Sequence, residues 1–400
     1  MTQIKHYELG ELADVTKLAG FEFTKYIKYN NYGGIIALRA LNLRHGELDL
    51  TDIKRIDRSV SELLPRSKLY INDILLTYTG NGYGDCAIIE ENDKYHLAPN
   101  ICKIAPNVEK VVPYYLYSYI RTNEFYKIMS SHMTGSSQPT IPMKTIRMLP
   151  IPLPPIVVQE KIAEVAYCIN EKIRKNNAIN KNLLEQVLTL YRNNFVDTVN
   201  DEREICRADE YFDISIGKTP PRKEPQWFST NPQDVTWVSI SDMGTCGLYI
   251  SSSSEQLTRE AVERHNVKIV PDNTVLLSFK LTVGRIAITN GEMTTNEAIA
   301  HFKTDKKEIN EYLYCYLKCF NYQTMGSTSS IATAVNSKMI KGMPFVVPTN
   351  DELEEFHGFA APMFAKIKAN QIETDNLTAL RDTLLPKLMS GELDVSDIDL

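Results

Sequence analysis

The second half of this chain repeats the first at an offset near 200 residues, and a duplicated sequence of this kind implies a duplicated architecture. Ile35-Ile-Ala-Leu-Arg-Ala-Leu-Asn42, followed by Gly46-Glu-Leu48, parallels Thr236-Trp-Val-Ser-Ile-Ser-Asp242 followed by Gly247-Leu248. Asn72-Asp-Ile-Leu-Leu-Thr77 with Gly84 and Ala87-Ile88 is matched by Asn273-Thr-Val-Leu-Leu-Ser278 with Gly284 and Ala287-Ile288. Each set reads as a buried strand, a turn and a second strand. Tyr115-Leu-Tyr-Ser-Tyr-Ile120 answers Tyr312-Leu-Tyr-Cys-Tyr-Leu317 as the start of a short helix. Small polar loops follow at Thr134–Thr140 and Gly326–Ser330, then proline-edged strands at Met148–Pro154 and Met343–Pro348. The gaps vary, but the order is the same in both halves.

After those strands each half has a long helical stretch in constant register. Ile173, Asn176, Asn182, Leu183 and Leu190 map onto Ile367, Asn370, Asn376, Leu377 and Leu384. In the first stretch Ile162, Val165, Ile169, Ile173, Asn176, Asn180, Leu183, Val187 and Leu190 step by three or four, the spacing of a coiled-coil seam. Asn176, Asn180 and the matching Asn370 make the middle of the seam polar, a device that fixes helix register at a cost in stability. Stretches of about 35 residues, about 50 Å at 1.5 Å per residue, have to bury their stripes against something. The expected partner is the other stretch, antiparallel, with a globular domain at either end. The alternative is that each helix folds back onto its own domain.

With 400 residues and 43% apolar content, the chain has enough material for two ordinary cores. No apolar run approaches the roughly 20 residues of a membrane span, and the first residues lack a secretory apolar stretch, so the expected location is the cytoplasm, away from membranes. The seven cysteines are scattered and odd in number, which fits reduced thiols. Cys315 and Cys319 lie one helical turn apart without a second ligand pair, a pattern of core thiols and not of a zinc site. The net charge of −6 and pI near 5.8 are unlike those of a protein that holds DNA by its own phosphate contacts alone. They fit local basic patches, or a partner that supplies much of the positive surface.

Catalytic patterns fail residue by residue. Asn231-Pro-Gln and Pro220-Pro221 fall short of the Asn/Asp-Pro-Pro-aromatic string of adenine methyltransferases. Gly217-Lys218-Thr219 resembles the end of a phosphate-binding loop, but Phe212 stands where its first glycine belongs. Pro271-Asp272 followed by Ser278-Phe-Lys280 has a serine where a nuclease needs its second carboxylate. Gly80-Asn-Gly-Tyr-Gly84 joins two strands and reads as a tight turn. The seven histidines show no metal-ligand spacing. The expectation is a chain with no catalytic residue, no metal and no cofactor.

The repeat and its motifs resemble the specificity subunit of type I restriction-modification systems over essentially the full length. Ile216-Gly-Lys-Thr-Pro220, Trp227 and Trp237-Val-Ser-Ile-Ser-Asp-Met243 are similar to the start of that family's target recognition domain, and Thr295-Asn-Glu-Ala-Ile299 to its later strand-entry motif. Leu153-Pro-Pro-Ile-Val-Val-Gln-Glu160 resembles the entry to the family's central helix, and Leu384-Leu-Pro-Lys-Leu-Met-Ser-Gly-Glu-Leu393 its closing helix. In the first half Val15-Thr-Lys-Leu-Ala-Gly20 lacks the Gly-Lys-Thr-Pro string.

The resemblance implies an α+β fold: two pseudo-symmetric target recognition domains separated by two long antiparallel helices forming a coiled coil. Residues 1–155 and 201–350 would be the recognition domains, with conserved helical regions at 156–200 and 351–400. It also implies a non-catalytic subunit that reads a two-part double-stranded DNA target. Its partners would be two adenine-N6 methyltransferase subunits, which use S-adenosylmethionine, and translocase-nuclease subunits for restriction.

Base reading needs Arg, Lys, Asn or Gln on loops that reach base edges, and phosphate contacts need positive charge and hydroxyls. In the first half that chemistry sits at Lys25 and Lys28, Arg39 and Arg44, Tyr83, and Ser136, Ser137 and Gln138. In the second half it sits at Lys218, Arg222, Lys223, Lys280 and Arg285, with Ser327 to Ser330. A fused modifying enzyme would need a catalytic domain for which the repeat leaves no room. A purely protein-binding scaffold leaves two polar-looped domains without a purpose.

Overall fold

Ile74–Thr77 and Val275–Ser278 are apolar runs without alternation, and every residue in them is buried. Such runs belong in the middle of a covered sheet. The computed structural model, which describes residues 4–80, 82–134, 139–198, 203–325 and 335–395, places them there. In the first half the strand order is Ala13–Lys17, Ile101–Pro106, Ile74–Thr77, Cys86–Ile88, all antiparallel. The second half repeats it as Asp213–Ile216, Ile299–Lys303, Val275–Ser278, Ile286–Thr289, and adds Tyr249–Ile250 in parallel at the edge.

A second sheet repeats as well. Lys54–Ile56, Ile35–Leu38 and Tyr95–Leu97 lie side by side, the last pair parallel. Their counterparts are Glu255–Leu257, Val235–Val238 and Thr294–Thr295, again with the last pair parallel, and Phe228–Ser229 on the outer edge. Each half closes with a short antiparallel pair joining its two ends, Lys5–Glu8 with Pro150–Leu153 and Ile205–Arg207 with Pro344–Val346.

The two helical stretches form continuous helices, Ile156–Tyr191 and Asn350–Met389. Their 36 and 40 residues make them about 54 and 60 Å long. The second starts at a capping box: the Thr349 amide donates to Glu352, and the Glu352 amide donates to the Thr349 hydroxyl. That satisfies two of the amides a helix start leaves open.

The chain divides into two units, Met1–Ile173 with Asn376–Leu400, and Arg174–Asp375. In the first, Ile162, Ala163 and Ala166 of one helix and Leu385, Leu388 and Met389 of the other enter a single core with Tyr115, Tyr119 and Phe125. Arg381 donates to the Asn170 side chain 3.0 Å away, and Asn170 donates to the Tyr114 hydroxyl. In the second unit Val187, Leu188 and Tyr191 meet Leu353, Phe356 and Phe364 in a core shared with Phe212, Tyr312 and Phe345.

Within that second unit the helices run antiparallel and their polar contacts come as a matched pair. Asn370 donates to the Asn180 side-chain oxygen at 2.8 Å, and Asn176 donates to Glu373 at 2.9 Å and to Thr374 at 3.5 Å. Asn176 corresponds to Asn370 in the repeat, and Asn180 to Thr374, so one contact is the repeat's copy of the other. Asn176 and Asn370 are both buried. The two ways of burying the stripes foreseen from the sequence therefore coexist: the helices pair with each other, and their ends also pack onto the domains.

Candidate nucleic-acid interface

Gly217 is fixed by its surroundings, since a Cβ there would collide with the Thr295 hydroxyl and the Asn296 carbonyl. Its amide donates to the Ile299 carbonyl, and the Lys218 amide to that of Thr295, so the loop from Lys218 onward leaves the sheet in a set direction. Beneath it His301 is enclosed, one ring nitrogen against the Ser215 hydroxyl at 3.0 Å and the other against Thr295 at 2.7 Å. Burial disfavours the charged imidazolium, and with help from the nearby Lys303 it brings the His301 pKa down to about 3.

The unfolded chain takes up this proton near pH 6.5, and the folded one takes it up only near pH 3. Stability from this group is therefore complete above about pH 6.5 and is lost as pH falls toward 3. In His301→Gln the melting temperature should fall less steeply between pH 6 and 4 than in the parent, by the slope of one proton. An equal slope in the two proteins would refute the buried neutral histidine.

Around this floor the second half gathers three of its candidate residues. Thr219 donates to Glu297, whose carboxyl is pushed up by partial burial but held below the ordinary range by Thr219, its own backbone, Lys280 and Arg222. Arg222 pairs with Glu255 at 2.9 Å, and its guanidinium lies 4.1 Å from the Phe228 ring centroid and 4.6 Å from that of Trp237. Lys218 donates from its ammonium to the His265 carbonyl at 2.6 Å. Lys218, Lys223 and Lys280 are all exposed, and half of the Arg222 side chain is.

Arg285 has a different role. Its guanidinium lies against Gly244 and donates to the Ile240 carbonyl, so it braces the strand end and is half-buried.

The first half places its candidates in two groups. Lys25 and Lys28 are exposed on either side of the chain turn that ends the helix Gly20–Tyr26. Arg39 lies close enough to Tyr29 to oppose the rise that burial gives its hydroxyl pKa. Arg39 itself is held by Asp52, through the carbonyl at 2.7 Å and the carboxylate at 3.2 Å. Arg44 reaches Asp49 at 3.6 Å and Asp85 at longer range, beside the glycine turn. On that turn the Tyr83 hydroxyl bonds to Ser130, and its ring packs 5.2 Å from Tyr126. Ser136, Ser137 and Gln138, like Ser327 to Ser330, lie outside the described residues.

Sequence reasoning missed the acidic partners, Glu255 and Glu297, that orient the basic side chains. Glu297 was visible inside Thr295-Asn-Glu-Ala-Ile299, and only its contact with Thr219, 78 positions away, gives it a role. Among the described residues no group of three or more His, Cys, Asp or Glu is placed to hold a metal ion. No described helix is long and apolar enough to cross a membrane.

A family model for the type I restriction modification DNA specificity domain matches residues 1–189 and 200–361. In sequence the chain is similar to the type I restriction enzyme HindI specificity subunit of Haemophilus influenzae, with 20% identity over 98% of this chain and 100% of that protein. It is also similar to the MjaIX specificity subunit of Methanocaldococcus jannaschii, with 25% identity over 72% of this chain and 71% of the other. Its fold is similar to the crystal structure of a type I restriction-modification S subunit from M. genitalium. The TM-score is 0.56 at 14% identity, covering 97% of this chain and 96% of that one.

Proposed function

Since the chain belongs to the type I restriction-modification DNA specificity family, whose subunits are non-catalytic, we propose that it reads a two-part DNA sequence and presents it to partner methyltransferase subunits. Residues 1–155 and 201–350 each read one half of the target, and the helical regions at 156–200 and 351–400 join them. The methylation directed is at adenine N6, by two methyltransferase subunits, and translocase-nuclease subunits act on the unmethylated site.

One observation carries this reading. The two halves share strand order, parallel pairings and turn positions, while the side chains on the matching loops differ. Before the strand Ile35–Leu38 the chain offers Lys25, at the end of the helix Gly20–Tyr26, and Lys28 just after it; before Val235–Val238 it offers Lys218, Arg222 and Lys223. At the hairpin after the central strand, Tyr83 stands in one half and Lys280 in the other. Equal scaffolds with unequal readers suit two unequal half-sites. The acidic net charge fits a division of labour in which base reading is local and the methyltransferase supplies much of the phosphate contact. The test is purification of the tagged chain from its host: a methyltransferase should accompany it, and that complex should methylate duplexes of defined sequence. The chain purifying alone, or methylating DNA by itself, would overturn the reading.

Asn176, Asn180 and Asn370 then act as register residues. Asn180→Leu alone leaves the buried Asn370 amide without its acceptor, which costs about 1–3 kcal/mol. Changing Asn180 and Asn370 together to Leu removes both polar groups and is expected to raise the melting temperature while permitting alternative pairings or self-association. Thermal melts and light scattering of the two variants check this. A double variant less stable than the single one would contradict it.

A further inference from the structure

Between the strands Val275–Ser278 and Ile286–Thr289 the chain turns at Lys280-Leu281-Thr282, and Leu281 is fully exposed. Its backbone has φ of +59°, in the left-handed region where an ordinary side chain's Cβ comes too close to the following carbonyl oxygen. Among the described residues the other six non-glycine residues with positive φ are asparagine, aspartate or histidine, which tolerate it. The repeat supplies a control. The matching turn of the first half has Gly80 at this place, with φ of +88° and open space around it, and both turns end on a glycine with φ of +89°. The second half thus carries a leucine where its copy carries the residue the backbone favours, and no packing offsets the cost.

The turn is held rigidly. The Thr282 amide donates to the Lys280 carbonyl at 2.6 Å, closing a three-residue turn around Leu281. The Ser278 hydroxyl donates to the Thr282 carbonyl at 2.6 Å and accepts from the Arg285 amide at 3.1 Å. Lys280, exposed beside the leucine, and Arg222 both act on the Glu297 carboxylate, so the groups named near this turn are charged and do not continue the leucine into an apolar patch for a protein partner.

We propose that Leu281 is a base-reading side chain for the second half-site, packing on the 5-methyl group of a thymine. This rests on the function proposed above. Thymine's methyl is the one apolar group a base presents in the major groove, and a side chain without donors or acceptors can select nothing else there. The other use of an exposed apolar side chain on DNA is as a wedge between base steps, which does not depend on a methyl group.

The experiment uses the complex of the full chain with its methyltransferase and duplexes bearing its mapped site, with each thymine of the second half replaced in turn by uracil. One replacement should weaken binding by about fourfold, the effect of one buried methyl, and the others should not. Leu281→Gly, which relaxes the turn and should melt no lower than the parent, should bind the thymine duplex at least that much more weakly and be indifferent to uracil. A flat uracil scan with site-selective binding intact overturns the leucine assignment alone, and weaker binding by Leu281→Gly with a flat scan marks a wedge. A complex without site preference overturns the specificity reading and this inference together.

Discussion

Exchanging residues 201–350 for the corresponding segment of another type I specificity subunit is expected to replace one half of the methylated sequence and leave the other half unchanged. Each mismatched base pair costs roughly 1–3 kcal/mol, so losing a half-site of even two or three pairs is worth about a hundred-fold or more in preference. The packing dictates how the exchange has to be made. Tyr312 lies 5.3 Å from the Tyr191 ring, 4.9 Å from Phe195 and 6.2 Å from Phe356, so the domain shares its core with residues outside the exchanged segment. A donor with aromatic residues at the positions of Tyr312 and Phe345 keeps that core, and one without them needs 184–200 and 351–364 exchanged as well. Sequencing of methylated DNA from the soluble chimeric complex reads the outcome. Both halves changing together would show that the domains do not read independently.

The second large effect concerns the spacer between the half-sites. One heptad added after Ile173 and one after Asn376 lengthens each helix by about 10 Å at 1.5 Å per residue. These points are chosen from the observed register: Asn176 meets Thr374 and Asn180 meets Asn370, which puts Ile173 level with Leu377. Insertion there leaves the asparagine pairs intact. It also keeps the Gln371 side chain on the Tyr249 backbone and Arg381 on Asn170. A heptad nearly preserves the face a helix presents, drifting about 20°. If the helices set the spacer, the methylated sequence should keep both halves and gain about three base pairs at roughly 3.4 Å each, less what the DNA absorbs by bending and twisting. Four residues added to one helix alone slip one stripe past the other and should abolish activity. An active double-heptad variant with an unchanged spacer would show that helix length does not set the distance.

Much of this architecture was legible in the sequence because it depends on local periodicity repeated twice. The seam from Ile162 to Leu190 is buried or half-buried at every position named from its spacing, and the strands around the Asn72 and Asn273 turns fall where the apolar runs put them. The parallel pairing of Ile36–Leu38 with Tyr95–Leu97 was not legible, since neither strand carries a mark of its distant partner. The candidate interface was visible only as residue types. Arg39, Arg222 and Arg285 look alike in sequence, yet one is held by Asp52, one is stacked on Trp237 and paired to Glu255, and one braces the Ile240 carbonyl. These differences come from contacts 13 to 45 positions away. Leu281 gave no sign at all, because an apolar residue after Val275–Ser278 reads as a continuing strand until its positive φ is seen.

The most direct test of the central claim is a map of N6-methyladenine across the host genome with the gene intact, deleted and restored. A single two-part motif, methylated at one adenine in each half, should be present with the gene, vanish on deletion and return on restoration. A methylation pattern that does not change when the gene is removed would contradict the account.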